Sequence, residues 1–162
     1  MKGLGIMKKT NKKGFTLIEV VLVLAIGGLI FLLAFIAFRN ASVNRRDTQR
    51  RNDVNRIVSE IANYAGDHNG SIPGAASAGA AGSGGQGSNF NQFIVDYLGG
   101  SNFKDPQAKT YNIVQTSLSS TNDIMYTTGA YCTGSTGTPG SRDYKIEMKL
   151  EKGTVCRDTS GS

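Results

Sequence analysis

The sequence predicts an α+β protein in which one long N-terminal helix packs against a small antiparallel β-sheet head. Three observations predict it. Residues 15–38 are apolar apart from the single charge of Glu19, and residues 39–66 continue without proline at helical spacing. From residue 111 onward the pattern changes to alternation, with turn residues between short runs.

The first element is membrane-length. Phe15–Phe38 gives 24 residues, which as a helix measure ~36 Å against a hydrocarbon core of ~30 Å. A secretory signal has a shorter apolar region followed by a small-x-small cleavage site. Here Phe38 is followed by RNASVNRRDTQRR, so the segment reads as retained. Charge gives no orientation, because Lys2, Lys8, Lys9, Lys12 and Lys13 precede it while Arg39, Arg45, Arg46, Arg50, Arg51 and Arg56 follow it. The formal charge of +6 lies mostly in residues 1–14, beyond which 13 basic side chains face 12 acidic ones.

The helix then becomes amphipathic. Val54, Ile57, Val58, Ile61, Ala62 and Ala65 repeat at the spacing of one helical face. Asp47 with Arg51 and Arg56 with Glu60 are expected as i,i+4 ion pairs, and Asp53 with Arg56 as an i,i+3 pair. One helix of about 50 residues, ending at Gly66, is the simplest reading.

Residues 67–110 form a connecting region. HNGSIPG is turn chemistry, and the Gly/Ala/Ser tract at 74–89 reads as a flexible surface loop that buries no core. Asn89 then caps a short helix lined by Phe90, Phe93, Ile94, Tyr97 and Leu98. Residues 111–117, 123–132 and 143–156 alternate as three or four antiparallel strands. So small a head has a marginal core of its own. Cys132 and Cys156, an even pair following a membrane segment, read as a disulfide over two reduced thiols.

Catalysis finds little support. The cysteines form no C-x-x-C pair, His68 is the lone histidine, and no nucleophile, base and orienter can be assembled. No enzyme activity, cofactor or metal is expected. The Gly-rich tract lacks the lysine of a phosphate loop, and the sequons at Asn40 and Asn69 read as chance. The arginine run alternates with Asp47, Asp53 and Glu60, which favours a salt-bridged face or subunit contacts over DNA as a partner.

GFTLIEVVLVLAIGGLI, behind a Lys-rich leader, resembles the N-terminus of bacterial type IV prepilins and of the pseudopilins of type II secretion. The resemblance continues through RRDTQRRNDVNRIVSEIANYAGDHNGSIP and its Asn-Gly-x-x-Pro ending, and FKDPQAKTY is similar to an Asp-Pro loop of the family. It implies that a membrane aspartyl peptidase cuts between Gly14 and Phe15 on the cytoplasmic side and N-methylates Phe15. That fixes the orientation, with leader inside and head outside, and makes Met7 rather than Met1 a candidate initiator. Glu19 would meet the Phe15 amine of a neighbouring subunit and select its register. Val20, Leu22, Leu24, Ile26, Leu29, Ile30, Leu33 and Phe35 would supply the packing. Gly27 and Gly28 would let helices approach closely or let this one stretch.

The organisation expected is a leader (1–14), a transmembrane and assembly half-helix (15–38), an amphipathic half-helix (39–66), a connecting region (67–110) and a β head with a disulfide loop (111–162). The function implied is a structural subunit that polymerises into an extracellular filament for adhesion, motility or DNA uptake. Its partners are further copies of itself, the prepilin peptidase, an inner-membrane assembly platform with its ATPase, and lipids of the cytoplasmic membrane. The precursor would sit in that membrane and the assembled form on the cell surface. A secretion pseudopilin or minor pilin is the nearest alternative, and a membrane-anchored binding protein that never polymerises is the other.

Overall fold

The computed structural model describes residues 14–81 and 89–160. All of the predicted leader except Gly14 lies outside them. The chain divides into two compact units, residues 1–41 and 42–162. Helix α1, Leu17–Asp67, contributes to both.

In the first unit every large apolar side chain from Phe15 to Phe38 is at least 48% exposed. Among the described residues, α1 is the one helix long and apolar enough to cross a membrane. Gly27 and Gly28 are ordinary helical residues here, and a Cβ added at either would meet nothing within 4 Å. The fold of one copy therefore does not require them to be glycine.

In the second unit α1 turns one face inward, burying Asp47, Arg50, Val54, Ile57, Ile61 and Tyr64. The helix runs one residue past Gly66. A helical glycine only weakens a helix; the stop comes from Asn69 and Gly70, both at positive φ (54° and 79°). There the Gly70 N–H donates to the Ala65 carbonyl at 2.7 Å, closing the last turn.

Five strands follow: β1 Gly79–Ala80, β2 Asn112–Val114, β3 Asp123–Thr128, β4 Tyr144–Leu150 and β5 Gly153–Asp158. They form one sheet in the order β1-β2-β3-β4-β5. The β3–β4 and β4–β5 pairs are antiparallel, with Tyr126 opposite Ile146 and Met148 opposite Val155. Burial alternates residue by residue along β4, so Tyr144, Ile146, Met148 and Leu150 share the core face.

Two expectations need correction. The sheet is mixed, because β2 and β3 run parallel. A parallel pair ordinarily needs a crossover of a dozen or more residues. Here a shorter loop returns the chain, gathered by Asp123, which accepts from the amides of Ser119 (2.8 Å) and Ser120 (2.6 Å). Burial raises this carboxyl's pKa, but the bonds from Ser120, Asn112 and Ser119 outweigh it and hold it below the ordinary value.

The Gly/Ala/Ser tract is not simply a loop. Gly79 and Ala80 form the edge strand on β2, and Ala76 and Ala81 are buried. The Asn91 side chain holds Ser77 by both its amide (2.9 Å) and its carbonyl (3.0 Å). Small side chains let this backbone lie close on the head, where main-chain bonds rather than apolar bulk fix it. Residues 82–88 of the tract lie outside the described residues.

Helix α2, Phe90–Leu98, starts as expected, with Asn89 Oδ1 accepting from the Gln92 amide at 2.9 Å. It buries Phe90, Phe93, Ile94 and Leu98 against the core. Cys132 and Cys156 are joined as a disulfide, Cα atoms 6.0 Å apart, tying the segment after β3 to β5. Closing a loop of this length stabilises the head by about 3–4 kcal/mol in the chain-entropy account.

Candidate functional site

Gly14, Phe15 and Thr16 precede the helix and Glu19 lies in its first turn. The spacing Thr-x-x-Glu ahead of an apolar run is that of a capping box, and the geometry agrees. Thr16 donates to Glu19 Oε2 through its amide (3.1 Å) and its hydroxyl (2.9 Å). The Glu19 amide approaches Thr16 Oγ1 at 3.4 Å. The carboxylate that looks misplaced beside a membrane-length run is thus satisfying donors that a helix start leaves without partners. Both bonds use Oε2, and among the described residues Glu19 Oε1 takes none.

Around this turn lie only exposed apolar groups. Phe15 is 86% and Leu17 81% exposed, and the packing residues named above, Val20 to Phe35, are exposed as well. Within one copy they touch no core.

Residues 9–35 match a family model described as the prokaryotic N-terminal methylation motif. This chain carries the type IV pilin and pseudopilin signature. The α+β layout, an apolar N-terminal helix followed by a small mixed sheet, is consistent with a type IV pilin fold. Motif and helix together fit a membrane-anchored precursor, and the motif implies processing by prepilin peptidase. No curated protein and no solved structure matches the chain.

The site residues expected from the resemblance fall in both units. Gly14, Phe15, Glu19, Gly27 and Gly28 belong to the first, and Cys132 and Cys156 to the second. The second unit also contains an ionic cluster centred on Arg50, a side chain that the sequence offered as part of a solvated face. Arg50 is fully buried. Its guanidinium lies 3.1 Å from Asp47, 3.3 Å from Glu151 and 3.6 Å from Asp105. Asp47 therefore pairs with Arg50 rather than with Arg51, because Arg50 is on the inward face. Asp47 also accepts from the amides of Glu151 (2.9 Å) and Lys152 (3.0 Å), which fastens the β4–β5 turn to α1.

Arg46 adds a two-point contact to Glu151, and this bond leads the causes that hold the Glu151 carboxyl down at about 2. Asp105, in the Asp-Pro loop, accepts from the amides of Gln107 (3.0 Å) and Lys109 (2.7 Å). Its Oδ2 and the Arg50 Nη2 have no hydrogen-bond partner, so charge alone joins them.

The other expected ion pairs are also replaced. Arg56 lies over the Phe103 ring, 5.8 Å from its centroid, and the Asp53 carboxylate accepts from the Tyr111 hydroxyl at 2.6 Å. His68 stacks on Tyr64 with ring centroids 3.9 Å apart, and its Nδ1 lies 3.0 Å from the Tyr64 carbonyl. Sequence reading missed the Arg50 cluster, since only the fold decides which arginine of RRDTQRR faces inward. The Thr16–Glu19 box was open to it, as its four-residue spacing is a local signal.

Proposed function

We propose that this chain is a type IV pilin-like filament subunit. It is cut between Gly14 and Phe15, methylated at Phe15, and held in the cytoplasmic membrane by residues 15–38. An ATP-driven machine in that membrane then draws it into a helical filament at the cell surface. Adhesion, motility and DNA uptake are the duties such a filament serves.

One observation carries the reading: Glu19 is presented in the first turn of a helix half whose apolar side chains are all exposed. Cleavage after Gly14 leaves a cation at Phe15 and removes no member of the Thr16–Glu19 box. Glu19 Oε1 is then available to a neighbour's amine. That attraction is offset in part by the desolvation of the two charges. It is realised only at the right axial register, so it acts as a selector. Lipid tails are as apolar as these side chains, so shape-matched packing rather than burial from water favours the filament. Gly27 and Gly28, free of neighbours within one copy, give that packing a place for close approach.

The test is the mature N-terminus together with the filaments. Mass analysis should find N-methylated Phe15 as the first residue, and electron microscopy should find fibres of this chain. Glu19→Ala should still be cleaved but yield few fibres. An intact leader on the mature protein overturns the reading. Sparse or absent fibres with correct cleavage assign the chain to pseudopilin or minor-pilin duty instead.

A further inference from the structure

The second unit has an aromatic cleft of about 510 Å³ between the last turns of α1 and α2. The accessible His68 and Tyr97 rings wall it over the buried Tyr64 and Phe93, and Asp67 and Asp96 stand at its rim. The rings are braced against one another, Tyr64 to Tyr97 at 5.5 Å and Phe93 to Tyr97 at 5.5 Å. The Tyr97 hydroxyl donates to Asp67 at 2.8 Å, which pushes the Tyr97 pKa up to about 12 and keeps that bond across physiological pH. Gln92 donates to Asp96 at 2.9 Å. Neither carboxylate has a cationic partner among the described residues.

Cations without partners lie elsewhere on the same helix. Arg45 and Arg51 are exposed and take part in no ion pair among the described residues. Arg56 is exposed but already lies over Phe103. The amphipathic half of α1 is therefore basic at its start and acidic, with Glu60 and Asp67, at its end. Arg45 and Asp67 are 22 residues apart in one helix, about 33 Å along its axis, so they cannot meet within a subunit. Opposite charges left unpaired at the two ends of this amphipathic half are complementary between parallel copies.

We propose that this cleft is the docking site for a second copy of the chain, whose Arg45 guanidinium enters between Asp67 and Asp96 and stacks on the accessible His68 and Tyr97 rings. The combination suits arginine: a flat cation on aromatic faces with carboxylates at its edge. This rests on the filament reading, in which subunits lie parallel and axially staggered. A stagger of about 33 Å is larger than the single turn separating Phe15 from Glu19. The cleft contact is thus made to a different neighbour from the one that supplies the Phe15 amine.

The experiment is a charge reversal with rescue in full-length protein, read as pelleted filament per cell. Asp96→Arg should lower the yield about tenfold, the scale of one desolvated cation–aromatic and charge contact. Asp96→Asn, a gentler change at the same exposed position, should lower it less. Adding Arg45→Glu to Asp96→Arg should restore most of the yield, whereas Arg51→Glu should not. Fold is checked by an intact disulfide and an unchanged melting temperature in detergent. If Asp96→Arg folds and assembles like the parent, or if Arg45→Glu gives no rescue, the docking proposal is overturned while the filament reading stands. If the parent chain is cleaved yet forms no filament, both fall together.

Discussion

The two units of this chain treat apolar side chains in opposite ways. In residues 15–38 every large apolar group is exposed, whereas in residues 42–162 Val54, Ile57, Ile61, Phe90, Phe93, Ile113, Ile124, Ile146 and Met148 are almost wholly buried. One helix serves both, so helix formation does not account for the difference. The first half has apolar residues on all sides, and no single chain can cover such a helix; lipid or other copies must. The second half has one apolar face, which a sheet and a short helix of the same chain can cover. The first unit thus needs a cover from outside the chain, whereas the second is completed by folding.

The contrast predicts different consequences for substitutions in the two halves. The largest effect is expected at Arg50. Arg50→Ala leaves Asp47, Asp105 and part of Glu151 uncompensated, and removing one partner from a buried ionic cluster costs about 3–5 kcal/mol. A thermal melt of the full chain in detergent should register this as a large drop. On the proposed function, cleavage at Gly14 should be unchanged, since the motif lies in the first unit. A melt like that of the parent would mean that the cluster does not hold the head together.

Next comes a matched pair on the one helix. Ile61→Ala should destabilise the head by about 2–5 kcal/mol through the cavity it leaves. Ile26→Ala should leave the head's melting temperature within about a degree, because an exposed change far from such features is near neutral. Its cost should appear in filament yield instead. Equal effects on head stability would erase the distinction between the halves.

The smallest effect is on pH. Glu151 is held at about 2 against its ordinary 4.5, chiefly by Arg46. A carboxyl lowered by folding stabilises fully above its unfolded value and loses that stabilisation as pH falls through the folded one. The melting temperature should therefore decline between pH 4.5 and 2, and Glu151→Gln should flatten that decline while lowering the plateau above it. Residues 20–38 carry no titratable side chain, so their variants should retain the profile.

What could be read in advance was local or periodic. The helix of some 50 residues follows from spacing without proline, the α2 start from Asn89, and the β4 face from strict alternation. The motif around Gly14, Phe15 and Glu19 is contiguous, and the Thr16–Glu19 box lies inside it. Each depends on residues within a turn or two of one another, so the chain itself specifies the geometry.

What the tertiary structure decided depended on distant partners. It chose Arg50 rather than Arg51 for Asp47, because the β4–β5 turn and the Asp-Pro loop bring Glu151 and Asp105 to that face of the helix. It set β2 parallel to β3 and recruited Gly79–Ala80 as an edge strand, since main-chain bonding there asks nothing distinctive of the side chains. It also brought Tyr64, His68 and Asp67 beside Asp96 and Tyr97, across two helices that the sequence separates by a Gly-rich tract. A sequence fixes its periodicities directly, while a contact between distant residues exists only once the chain has closed the loop between them.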